Sequence, residues 1–261
     1  MKTRMRSLAL LPVTALLSFV PLGALCQTRS FTIAQHGKSV GTATVSFSAG
    51  ARGYHSTSVI RVDMQGLNYA LSKTEDLNKD NQLLHVQLSA TVNNSAVNVT
   101  AAPDAAQFLL NVSANGRSTT ARLASHPGAV FLPDFDAGAF DTLLALGASQ
   151  NGRGLWAILP KQSNGQAASI VPVQLATYAD EKGTLDGKPV TVHHLEATIG
   201  TAKSQLFSGP ENQLLQAELP QQGFALVRKG FVLTPPAKAG APPEQPQAPQ
   251  PQAQPGAPVQ Q

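Results

Sequence analysis

Six histidines, His36, His55, His85, His126, His193 and His194, are the side chains of this 261-residue chain best suited to holding a metal or moving a proton. Their local spacing forms no ligand pattern: there is no His-x-His and no His-Glu-x-x-His, and Cys26 is the one cysteine. His193 and His194 are adjacent, and neighbours on a strand point to opposite faces, so the pair cannot easily share an ion. No metal and no cofactor are expected. Asp134, Asp136 and Asp141 form a second cluster. It lacks the donor spacing and closing Glu of a calcium loop, and neither Asp136-Ala137-Gly138 nor Asp141-Thr142-Leu143 is the Asp-Thr/Ser-Gly of an aspartic protease. Capping of a helix explains these carboxylates better. The many serines and threonines fall mostly on the wet phase of strands, where a hydroxyl is an ordinary choice. No catalytic residue is nominated. A cleft joining His85, His126 or His194 to a carboxylate would argue for a hydrolase.

The elements that must position these groups read mostly as strands. Ala43, Val45 and Phe47 alternate with Thr42, Thr44, Ser46 and Ser48, and the same period of two recurs at Ile60, Val62 and Met64, at Leu84, Val86 and Leu88, at Phe108, Leu110 and Val112, and at Val171, Val173 and Leu175. Turn residues separate the runs at His36-Gly37-Lys38, Asn115-Gly116, Asn164-Gly165 and Asp186-Gly187. Short connections make neighbours antiparallel, which predicts one large curved sheet or half-barrel of about 10–14 strands. One segment departs from this. Asp136 to Ser149 reads as an amphipathic helix capped by Asp136, with Phe140, Leu143, Leu144 and Gly147 on one face. The apolar strand Leu155-Trp156-Ala157-Ile158-Leu159 follows it.

The two ends of the chain carry other signals. Lys2, Arg4 and Arg6 precede the apolar stretch Leu8 to Val20, then Pro21 and the small-residue run Ala24-Leu25-Cys26. That order is expected of a secretory signal peptide over residues 1–26, and it places the protein in the periplasm or outside the cell. Leu25 in front of Cys26 does not suit lipid anchoring. Three of the 19 Lys and Arg residues sit in this leader, leaving 16 against 15 Asp and Glu, so the remainder is nearly neutral. No basic stripe supports nucleic-acid binding. No apolar run beyond the leader approaches the roughly 18 residues of a membrane span. The sheet is assigned to residues 28–234. Residues 235–261 contain nine Pro and seven Gln and are expected to form a disordered tail, acting as a spacer, a partner ligand or a passive solubilising segment.

The leader, the meander, the single helix and the closing runs Asn212-Gln213-Leu214-Leu215-Gln216-Ala217-Glu218-Leu219-Pro220 and Arg228-Lys229-Gly230-Phe231 together resemble uncharacterised bacterial periplasmic families. Those families are similar in fold to the lipoprotein carrier of the Lol pathway, an incomplete barrel closed by helix. The first expectation for such a half-open sheet is a non-catalytic envelope protein whose concave face forms a groove for a lipid or other apolar ligand. Candidate lining residues are Phe47, Ile60, Val86, Leu110, Phe140, Leu144 and Trp156, with the helix as lid. The alternative expectation is a structural or adaptor protein of the envelope, with a solid core and contacts made by loops and tail. A hydrolase is the third.

Overall fold

The computed structural model describes residues 27–160 and 168–235; the leader, Asn164-Gly165 and the tail from residue 236 lie outside the described residues. Eight strands open the fold: β1 (Gln27–Gln35), β2 (Lys38–Gly50), β3 (Gly53–Met64), β4 (Leu67–Asn78), β5 (Leu83–Val92), β6 (Ser95–Asp104), β7 (Gln107–Ala114) and β8 (Arg117–Ala124). Each pairs antiparallel with the next. The alternation read from sequence sets their inner face: Ala43 and Val45, Ile60 and Val62, Val86 and Leu88, and Leu110 are all buried. The turns follow the expected chemistry, with positive φ at both residues of His36-Gly37, Asn115-Gly116 and Asp186-Gly187. Asn93-Asn94 does the same without a glycine.

The second half returns to the first. After β9 (Gly128–Phe131) the chain forms α1 (Ala137–Ser149) and then β10 (Leu155–Pro160), which pairs parallel with β9. The helix carries the chain back to the starting end, and this crossover is why one pairing in an otherwise antiparallel sheet is parallel. There follow β11 (Ala168–Thr177), β12 (Glu181–Leu185), β13 (Lys188–Ile199), β14 (Ala202–Ser208), β15 (Leu214–Leu219), β16 (Phe224–Arg228) and β17 (Phe231–Leu233). From one end, the hydrogen-bonded order is β8 to β1 in reverse sequence, then β16, β15, β14, β13, β11, β10 and β9. β12 joins the start of β13 to β17. Seventeen strands exceed the expected 10–14 because short segments such as β9, β12 and β17 show no repeated alternation. The sheet curls without closing: β9 lies against β5 and β8 against β11, but no ladder joins β8 to β9.

Helix α1 lies inside the curl. Asp136 caps it, accepting from the backbone N–H of Gly138 at 2.9 Å and of Ala139 at 3.3 Å. Ten of its 13 residues are buried, so the amphipathic helix expected from sequence is in fact enclosed on nearly every side. Small residues permit this. A Cβ on Gly138 would stand 2.7 Å from Ser58 Oγ and 3.1 Å from Val45 Cγ1, a measure of how closely the helix lies on β2 and β3. Among the described residues no helix is long and apolar enough to cross a membrane.

Candidate functional site

Two polar constellations stand out, one buried under α1 and one on the outer face of the sheet. The buried one begins on β4, where Tyr69, Leu71, Lys73, Glu75 and Leu77 share the inward phase. Lys73 and Glu75 are sealed from solvent, at 0% and 1% exposure. Lys73 Nζ lies 2.6 Å from Asp136 Oδ2 and 3.1 Å from Glu75 Oε2. Ser58 Oγ donates to Asp136 Oδ1 at 2.6 Å, and Ser56 Oγ to Glu75 Oε2 at a long 3.4 Å. Burial alone would pull the Lys73 ammonium down, but the charges of Asp136 and Glu75 outweigh it and hold it above the usual lysine range. Glu75 is pushed up: burial dominates, Lys73 opposes it, and the Asp136 charge adds to it. One ammonium between two carboxylates leaves a negative charge in the interior unless one acid keeps its proton, and that crowding adds to burial in the upward push on Glu75.

Further along the helix, Asp141 forms a second anchor. Its Oδ1 accepts from Arg29 Nη1 at 2.8 Å and from the Leu214 backbone N–H at 2.7 Å. Burial nonetheless pushes the Asp141 carboxyl up to about 6, with Arg29 and the Leu214 N–H pulling the other way. Arg29 also lies 5.0 Å over the Phe47 ring. The two carboxylates therefore tie α1 to β1, β3, β4 and β15. Asp134, the third acid of the sequence cluster, is exposed, and Tyr69 Oη approaches its backbone carbonyl at 3.5 Å. Of the three acids only Asp136 caps the helix as expected; Asp141 anchors it from within through Arg29 and Leu214, and Asp134 contributes its backbone carbonyl.

The residues expected to line a groove are distributed around this helix. Ile60, Val86, Leu110, Phe140 and Leu144 lie in one continuous buried cluster, whereas Phe47 and Trp156 are half-buried at its margin. His126 stacks on Trp156 with centroids 3.9 Å apart. Sequence reasoning misses Arg29, Lys73, Glu75 and the inward serines Ser56 and Ser58, because it assigns serine to the wet phase. The signal is present in the phase of β4, where Tyr69, Leu71 and Leu77 place Lys73 and Glu75 inside.

On the outer face, the register lines up Ser48 of β2, His55 of β3, Asp76 of β4 and His85 of β5 directly opposite one another. All four line a cleft of about 570 Å³ together with Arg52, Tyr54, Leu77 and Leu84. His55 Nδ1 and Asp76 Oδ1 are 2.7 Å apart, both half-exposed. A histidine and carboxylate in one cleft is the feature that would argue for a hydrolase, and Ser48, His55 and Asp76 stand in the order of nucleophile, base and orienting acid. The chemistry is incomplete: among the described residues no hydrogen bond joins Ser48 to His55, and water reaches the histidine–aspartate bond. Gly37-Lys38-Ser39-Val40-Gly41 has the Gly-x-Ser-x-Gly spacing of a nucleophile elbow, but it opens β2 after a hairpin turn rather than leading from strand to helix. The adjacent histidines diverge as their spacing predicted, His193 toward Asp180 at 2.9 Å and His194 toward Glu181 at 2.9 Å. The chain matches no family model, no curated protein and no solved structure.

Proposed function

We propose that this is an exported, non-catalytic protein of the cell envelope that acts as a structural or adaptor component through its outer surface. The observation that carries the reading is the occupied interior. Five of the seven side chains expected to line a groove are packed into the core, and α1 lies where a ligand would sit, tied down by Lys73 and Arg29. Emptying that space would separate two buried ion pairs. The leader pattern at Lys2, Arg4 and Arg6 supports export, and the Pro/Gln/Ala-rich composition of residues 236–261 suits a contact-making or spacing segment.

The second reading, a protein that binds a lipid or other apolar ligand, draws its support from Phe47 and Trp156, large side chains left half-exposed at the margin of the core. Native mass spectrometry separates the two. Protein isolated from the exported fraction without detergent should give a bare mass, and the denatured mass should correspond to loss of residues 1–26 with no acyl group. A reproducible non-covalent adduct that disappears on denaturation would overturn the adaptor reading in favour of the carrier. A denatured mass retaining the leader would overturn export.

A further inference from the structure

We propose that His55, Asp76 and His85 form a binding site for a divalent transition ion of the zinc type on the outer face of the sheet. The three residues are 21 and 9 positions apart in the chain, so no local motif announces them. The ladder brings them together: His55 is the cross-strand partner of Asp76 on β3–β4, and His85 is its partner on β4–β5. Directly opposed residues on one face have Cβ atoms about 5 Å apart, so an ion above Asp76 is flanked by an imidazole on either side. Two imidazoles and a carboxylate suit zinc, with a fourth position left to water from the cleft.

Two of the three proposed ligands already face each other. His55 Nδ1 and Asp76 Oδ1 stand 2.7 Å apart, and two ligands about 2.0–2.1 Å from a tetrahedral ion lie about 3.3 Å apart. Replacing the shared proton by an ion thus requires the pair to open by about half an ångström. Among the described residues no three His, Cys, Asp or Glu side chains already surround a common point, so closure requires the half-exposed His55 and Asp76 and the exposed His85 to turn within the cleft. The backbone beneath them is fixed. A Cβ on Gly53 would meet the Leu77 carbonyl oxygen, so β3 and β4 approach closely beside the row, and the ladder shifts register between Asp76 and Leu77. That bulge turns Leu84 outward as a wall of the cleft.

The test is calorimetric titration of Zn²⁺ into the protein purified from the exported fraction, prepared without a histidine tag. One ion should bind per chain, and affinity should fall on acidification from about pH 7.5 to 5.5 as the imidazoles take protons. His55→Ala, Asp76→Ala and His85→Ala should each weaken binding by about tenfold or more. His193→Ala and His194→Ala should leave it unchanged. Zn²⁺ should raise the melting temperature of the parent and not of His85→Ala, and far-ultraviolet circular dichroism checks that each variant is folded. No saturable binding, or binding that survives His85→Ala while depending on His193 or His194, overturns the site.

Discussion

Lys73 sits where a misplaced charge costs most. It is sealed from water and faces two carboxylates, so truncating it strands at least one of them. Lys73→Ala should destabilise the protein by about 3–5 kcal/mol in urea unfolding, the usual consequence of breaking a buried pair from one side. Converting the whole cluster to neutral groups, with Lys73→Met, Glu75→Gln and Asp136→Asn together, should recover most of that loss, because the amide introduced at position 136 still offers an oxygen to the helix N-terminus. Asp141 makes a prediction in pH. Its folded value of about 6 lies above the ordinary 3.8, so the proton stabilises the fold. That contribution is complete below about pH 4 and is lost as pH rises through about 6. Measured against Asp141→Asn, the parent should therefore lose relative stability between about pH 4 and 7; a gain over that range would contradict the assignment.

At the scale of the element, α1 is held by closeness as much as by charge, and its two interior glycines separate those effects. Gly138→Ala would press a methyl group onto Ser58 Oγ, which is itself tied to Asp136, and should cost about 1–3 kcal/mol. Gly147→Ala meets chiefly the tip of Leu175, at 2.6 Å from Cδ1. That side chain can turn away, and alanine favours helix by about 1 kcal/mol over glycine, so this change should be near neutral in the same unfolding assay. The helix was legible in the sequence through Asp136 and the Phe140, Leu143, Leu144 spacing. Its enclosure was not, because Ala137, Gly138 and Ala139 are apolar enough to face protein or water. Strand β5 shows the converse. Its alternation suggested Leu84 as an inward residue, but the bulge opposite Leu77 gives that place to Leu83 and leaves Leu84 45% exposed.

Across the whole molecule, β1 is the seam. It pairs with β2 along its length and with β16 through Phe31 to Gln35, so it joins the opening meander to the returning strands. Ile33, fully buried at this junction, reports on whether the two halves depend on each other. Ile33→Ala should cost about 2–5 kcal/mol. Unfolding followed by circular dichroism, which weighs all strands, should coincide with unfolding followed by the fluorescence of Trp156 on β10. Separate transitions would mean that the halves fold as two units.

The sequence by itself determined the periods: two along the strands, about 3.6 across one helix, and positive φ at the hairpin turns. These depend on near neighbours, and so they led to a mostly β protein with α1 within a residue of its observed start. Which faces meet depended on contacts 78 and 112 residues apart, those of Ser58 with Asp136 and of Arg29 with Asp141. Strand register likewise gathered Ser48, His55, Asp76 and His85 into one row, because a ladder places side by side residues whose separation depends on the lengths of strands and turns. Local pattern chose the elements; the cross-strand ladder and the burial of α1 chose which charges would share an interior and which would share a cleft.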